Sequence, residues 1–183
     1  AEEFSEKLSL DKMLIIPTFA APHKDTGAYA SALDRLNMCR LTFYEPLFDV
    51  LDIEIRRDGK SYTVDTLEQL KAAFPDDEFF LFMGEDMFLS LERWYKYERI
   101  LELSKPVAAC RFEDRSALEK MKEYAANRLG LAENEYFISD IEPVEVSSTK
   151  IRNCFKNGTV PEGLDERVLH YIKERGLYSD EHR

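Results

Sequence analysis

The sequence predicts an α/β fold, a Rossmann-like parallel sheet with helices on both faces. Three observations carry that expectation. Short apolar runs bounded by turn signals alternate with segments of helical period. A β-then-α alternation is the pattern of crossover units, which build parallel sheets covered by helices. No internal repeat, low-complexity tract or linker interrupts it, so residues 1–183 read as one domain large enough for a real core.

The elements follow in order. Met13-Leu14-Ile15-Ile16 is a buried strand ending at Pro17. A helix is expected over 31–43, with Ser31 and Asp34 spaced as in a capping box. Leu51, Ile53 and Ile55 alternate with Asp52 and Glu54, which predicts a half-buried strand before the Asp58-Gly59 turn. A helix over 63–74 stops at Pro75. A strand over 79–83 breaks at Gly84, and another runs over 107–110. A helix over 116–129 ends at Gly130, and 136–141 is strand-like. One helix then opens at Ser147, and the last covers 165–175.

Composition narrows the function classes. Hydrophobic residues make up 44% and charged residues 33%, as in an ordinary globular chain. The net charge of −11 disfavours a nucleic-acid partner, which would need a basic face. A small anionic substrate remains compatible, because a local group of cations can oppose the global sign. Cys39, Cys110 and Cys154 are far apart and form no C-x-x-C pair, so neither a zinc site nor a disulfide framework is indicated. No metal ligands are assigned. No apolar run approaches membrane-spanning length and no signal peptide is visible, which points to the cytoplasm and away from a membrane.

In a parallel α/β sheet, ligands bind beyond the carboxyl ends of the strands. Residues 18–24, 84–86, Arg111 and 147–152 occupy those places, and each stretch is polar or charged directly after an apolar run. Val146-Ser147-Ser148-Thr149-Lys150-Ile151-Arg152 is the most informative. Small hydroxyl residues open a helix, whose unpaired N–H groups and dipole attract phosphate. Ser148 and Arg152 lie four apart, on one helical face. An ordinary N-cap followed by surface cations explains the same residues. For Gly84-Glu85-Asp86 the competing reading is an acidic strand-to-helix turn. For Trp94 it is a packing aromatic, and for His23-Lys24 a solvated loop. Arg35 begins a helix whose core face is Leu36, Cys39 and Phe43, and an exposed ion pair is its expected fate.

The motifs together are specific. I-P-T-x-x-x-P-H-K at 16–24, S-Y-T-V-D-T at 61–66, G-E-D at 84–86, Trp94-Tyr95 and S-S-T-K-I-R at 147–152 resemble bacterial nicotinate-nucleotide adenylyltransferases of the nucleotidyltransferase superfamily. The closing Val168-Leu169-His170-Tyr171-Ile172 and Gly176-Leu177-Tyr178 match as well, so the resemblance covers almost the whole chain. It implies AMP transfer from ATP to nicotinate mononucleotide, giving deamido-NAD and pyrophosphate. It implies Mg2+ bound with ATP. Ser147, Ser148, Thr149 and Arg152 would hold the triphosphate, with Arg111 facing the nucleotide. Gly84 and Asp86 would line the adenosine pocket, Asp86 meeting ribose hydroxyls. His23 and Lys24 would stand near the phosphates and, with Arg152, carry catalysis.

The resemblance places the nicotinate ring, a flat pyridinium cation, on Trp94. Its carboxylate would meet backbone N–H groups at Thr63 and Tyr95. Two fixed donors suit a carboxylate and disfavour an amide. One family feature is absent from 1–183, an opening strand with a G-G-x-F-x-P-x-H-x-G-H loop whose histidines meet the ATP phosphates. Ala1-Glu2-Glu3-Phe4 resembles the helix after that loop. The expectation is that residues 1–183 alone form a poor or unstable catalyst, with a strand-wide gap beside Met13. Two alternatives stay open: a relative acting on nicotinamide mononucleotide or phosphopantetheine, and a non-catalytic nucleotide-binding module. A homo-oligomer also stays open.

Overall fold

A computed structural model of the chain describes residues 2–19, 30–57, 59–111, 115–141, 148–161 and 163–178. It forms two compact units, Ala1–Ser61 with Val146–Arg183, and Tyr62–Glu145. The architecture is α/β with parallel strands throughout, as the alternation predicts. Those strands fall into two sheets, of order β1-β2 and β3-β4-β5.

In the first unit, α1 (Glu2–Leu8) precedes β1 (Met13–Ile15). Through α2 (Ala32–Thr42) the chain reaches β2 (Phe48–Val50), which pairs parallel to β1 with Met13 opposite Phe48 and Ile15 opposite Val50. Met13 N–H donates to Leu47 O at 2.8 Å and Leu51 N–H to Ile15 O at 3.0 Å, so the ladder extends one bond past each end of β2. The expected strand through Ile53 and Ile55 is instead helical, α3 (Ile53–Arg57). Asp52 and Arg56 stand four apart and pair at 2.9 Å, and Arg56 N–H donates to Asp52 O at 2.9 Å. A favourable i,i+4 pair supports a helix that the apolar alternation does not advertise. The strand lies just upstream, at β2.

The unit closes with α8 (Ser148–Lys156) and α9 (Glu166–Glu174). Asp165 caps α9 by accepting from Arg167 N–H at 2.8 Å. Val168 and Ile172, four apart, bury its inner face.

The join between α2 and α9 is polar. Asp34, 5% exposed, sits at its centre. Its carboxylate accepts from Ser31 Oγ at 2.6 Å, Tyr171 OH at 2.8 Å and Arg175 Nε at 3.3 Å. Ser31 Oγ in turn accepts from Asp34 N–H at 3.0 Å, so the expected cap is present. Asn37 donates to Tyr171 OH at 3.0 Å and completes the network. The Ser31 hydroxyl chiefly, and then Tyr171 and Arg175, hold the Asp34 carboxyl below its ordinary value against the opposing effect of burial.

In the second unit, α4 (Thr63–Ala73) leads to β3 (Phe80–Gly84), α5 (Glu85–Phe88), a 3-10 turn (Leu91–Arg93), α6 (Tyr97–Leu103), β4 (Lys105–Arg111), α7 (Arg115–Tyr124) and β5 (Phe137–Ile141). Two apolar clusters hold it. Val64, Leu67, Ile100 and Leu103 join α4 to α6, with Phe79, Leu81 and Trp94 packed against them. Phe88, Ala108, Cys110, Ala117, Met121 and Ala125 join α7 to the sheet. The Val, Leu, Ile, Phe and Met side chains among these contribute about 1.5–3 kcal/mol each when fully buried.

The helix expected over 116–129 changes pitch. After Tyr124 the turn widens to π over Ala125–Leu129, and Gly130 closes it at φ +69. A positive φ at that cap is why glycine stands there. The wide turn carries Arg128 into a two-pronged pair with Glu92, Nε to Oε2 and Nη2 to Oε1, both 2.9 Å. Tyr124 OH accepts from Glu92 N–H at 3.1 Å. Arg128 holds the Glu92 carboxyl below its ordinary range.

Candidate active site

The second unit gathers the residues expected around nicotinate. Thr63 is the first residue of α4, and among the described residues no side chain caps that helix. Its first-turn N–H groups are therefore available to an acceptor. Tyr62, immediately before Thr63, lays its ring 4.8 Å from the ring of Tyr95. That contact brings Thr63 and Tyr95 to the same place, although 32 positions separate them in sequence. Trp94 caps the 3-10 turn, its N–H donating to Leu91 O at 2.9 Å. The indole is half-buried against the α4–α6 cluster, so it is a packing residue and a presented face at once.

Tyr95 is 53% exposed. Lys96, with a left-handed backbone at φ 52, holds its ammonium 5.3 Å from the Tyr95 ring. Tyr97 N–H then donates to Trp94 O at 3.2 Å, closing the turn. Sequence reasoning overlooked Tyr62 and Lys96 as site neighbours. Tyr62 lies inside the S-Y-T motif, and Lys96 is a cation directly after the aromatic pair, so both had a signal.

The sheet ends of the same unit carry the expected adenosine residues. Register puts Gly84 opposite Ala109, and Ala109 opposite Ser139. Arg111 lies two residues past that row, paired with Ile141 at the carboxyl edge. Gly84 caps the short α5, and a Cβ there would come 3.1 Å from Asp86 Oδ1. Glycine thus lets the Asp86 carboxylate fold back over the backbone. Gly84 and Asp86 are both exposed.

The expected phosphate residues belong to the first unit. Ser148 is the first residue of α8. Arg152 donates through Nη2 to Thr149 Oγ1 at 3.3 Å, so guanidinium and hydroxyl share one helix face as their spacing requires. Phe155 and Tyr178 form a ring pair at 6.1 Å, with Tyr178 itself left-handed at φ 65. Burial pushes the Tyr178 phenol up, against the pull of the Arg152 and Arg35 guanidiniums. His23, Lys24 and Ser147 lie outside the described residues.

Arg35 departs from its expected exposed ion pair. It is half-buried and donates to two backbone carbonyls, Phe19 O at 2.9 Å and Ala30 O at 3.4 Å. Among the described residues, no group of three or more His, Cys, Asp or Glu could hold a metal ion. No described helix is long and apolar enough to cross a membrane.

The chain matches the cytidylyltransferase-like family over residues 1–154, which makes it a nucleotidyltransferase. Probable nicotinate-nucleotide adenylyltransferases align over nearly its whole length. The protein of Dehalococcoides mccartyi is 39% identical, with 97% of this chain and 87% of that one covered. That of Desulfatibacillum aliphaticivorans is 36% identical over 97% and 90%. That of Enterococcus faecalis is 35% identical over 99% and 77%. The chain belongs to the nicotinate-nucleotide adenylyltransferase family. Its fold matches the Plasmodium falciparum nicotinic acid mononucleotide adenylyltransferase solved with NaAD, at a TM-score of 0.68 and 16% identity, covering 97% of this chain and 89% of that one.

Proposed function

We propose that this protein transfers the adenylyl group of ATP to nicotinate mononucleotide, giving deamido-NAD and pyrophosphate. The observation that carries the proposal is the Tyr62–Tyr95 contact. It gathers the uncapped start of α4 and the Trp94-Tyr95 turn into one place within a single compact unit. A pyridinium ring suits the Trp94 face. A carboxylate, which only accepts hydrogen bonds, suits backbone N–H groups at Thr63 and Tyr95.

The chemistry needs little from the protein beyond placement. The acceptor phosphate is already ionised at neutral pH and attacks the α-phosphorus in line as pyrophosphate leaves. Rate then comes from positioning and from charge on the phosphate oxygens. Ser147, Ser148, Thr149 and Arg152 are assigned to the triphosphate, and Arg111 to the nucleotide. Gly84 and Asp86 are assigned to adenosine, and His23 and Lys24 to the phosphates between the two nucleotides. ATP would enter as its magnesium complex, the metal supplying neutralisation of phosphate charge.

Pyrophosphate release with ATP and either pyridine mononucleotide tests the proposal. The acid should exceed the amide by about a hundredfold or more in kcat/KM, because an amide NH2 against backbone donors leaves them unpaired. Equal rates, or a preference for the amide, would overturn it.

A further inference from the structure

The turn that carries Trp94 and Tyr95 is held by residues far from it in sequence. Glu92 stands in the 3-10 turn, two residues before Trp94. Its carboxylate accepts both Nε and Nη2 of Arg128, each at 2.9 Å. Its backbone N–H donates to Tyr124 OH at 3.1 Å. One residue is therefore clamped through side chain and backbone at once. Tyr124 is fixed in turn, its ring 6.0 Å from that of the fully buried Phe88. All of these residues belong to the second compact unit.

The clamp reaches Trp94 in one step. Leu91 O accepts from Trp94 N–H at 2.9 Å, and Leu91 is fully buried. Glu92 lies inside that closed turn, so moving it moves the indole. Beyond Trp94 the chain is also constrained. Tyr97 N–H donates back to Trp94 O at 3.2 Å, across a left-handed Lys96. A backbone of that kind persists only where its surroundings determine it. Arg128 itself comes from the π turn Ala125–Leu129. Such wide turns are rare and frequently stand at functional sites. Global stability does not account for the pair, because the Arg128 side chain is 62% exposed and exposed pairs stabilise little. What a two-pronged arginine–carboxylate pair adds is geometric specificity.

We propose that Arg128 and Tyr124 are positioning residues for the acceptor nucleotide. By fixing Glu92 they set how Trp94 and Tyr95 meet the pyridine ring and its carboxylate. This rests on the adenylyl-transfer reading above. Neither residue needs to touch a nucleotide.

Trp94 is the only tryptophan, so its fluorescence reports this turn alone. The test uses the full chain with Arg128→Met and, separately, Tyr124→Phe, which keeps the ring against Phe88. Acrylamide quenching of Trp94 should rise about twofold or more in Arg128→Met, with no reaction needed, because a released turn opens locally more often. Steady-state kinetics is the second arm. KM for nicotinate mononucleotide should rise about tenfold while KM for ATP changes less than about twofold, since misplacement weakens the ligand that the turn meets. The thermal midpoint should stay within about 4 °C of the unsubstituted protein. In a Glu92→Ala background Arg128→Met should add less than about twofold to either readout, because the pair is already broken. Tyr124→Phe should give the same pattern to a smaller extent.

Unchanged quenching overturns the proposal. Altered quenching with an unchanged KM for nicotinate mononucleotide overturns it too. So do equal rises in both KM values, or losses that multiply fully in the Glu92→Ala background, since a general structural role gives those results. If Arg128→Met does not fold cooperatively, Tyr124→Phe carries both arms. If the unsubstituted protein fails to turn over nicotinate mononucleotide, the adenylyl-transfer reading falls, and quenching still decides whether the clamp places Trp94.

Discussion

Asp34→Ala should destabilise the protein by roughly 3 kcal/mol, and the contacts show how that sum arises. Two hydroxyls, Ser31 and Tyr171, donate to the carboxylate at 2.6 and 2.8 Å. Hydrogen bonds to a charged group contribute about 1.5–3 kcal/mol each. The lower end applies to both, because Ser31 is exposed and Tyr171 keeps its bond from Asn37. Arg175 adds little, at about 0–1 kcal/mol, since its side chain is 59% exposed. A loss of that size lowers the thermal midpoint by about 6–12 °C in a chain of this length.

The deficit carries a pH signature. The folded-state pKa of Asp34 lies below the ordinary value of 3.8, because the Ser31 hydroxyl above all favours the charged form. Its stabilisation is therefore complete above that value and fades as pH falls through the lower, folded one. Urea unfolding of both proteins from pH 8 to pH 3 is the assay. The difference between them should be flat down to about pH 5 and shrink below about pH 4. Equal stabilities at neutral pH, or a difference that does not narrow in acid, would refute the network's role.

Arg152→Ala should leave the fold intact and lower adenylyl transfer by a hundredfold or more, since a phosphate contact realised in the transition state is worth about 2–4 kcal/mol; an unchanged rate in a folded variant returns Arg152 to the surface cations. Asp165→Ala should lower the unfolding midpoint by removing the cap of α9. The Arg167 side chain chiefly, then its backbone N–H, draws the Asp165 carboxyl down to about 2. That stabilisation should persist above pH 3.8 and disappear as pH falls through 2; a midpoint unaffected at pH 7 would show that the cap contributes nothing.

Local signals carried much of the fold. The helical period ending at Pro75 gave α4, and the apolar run at 107–110 gave the middle of β4. Ser31 and Asp34 marked the start of α2 by chemistry confined to one turn. Asp34 as a hub was not legible, because two of its partners lie 137 and 141 residues away. The apolar alternation at 51–55 misled, since an i,i+4 ion pair competes with it and helix won. For the site, the residue types came from motif resemblance. The approach of Tyr62 to Tyr95 needed tertiary structure, as did the two carbonyls that claim Arg35. Guanidinium spacing in a sequence says nothing of which backbone oxygens will face it.

The widened turn at Ala125–Leu129 makes chain length itself a constraint. A π turn holds one residue more than an α turn over the same rise. Deleting a single residue there would let α7 run on as a regular helix, at no cost in helical hydrogen bonding. It would also remove the local widening that carries Arg128 toward Glu92. Arg128 would then leave Glu92, and the 3-10 turn that delivers Trp94 would lose its brace from that side. Substitutions in this stretch should be tolerated far better than deletions. Relatives that keep an aromatic pair on the same turn would be expected to keep the count of residues here even where they change every letter.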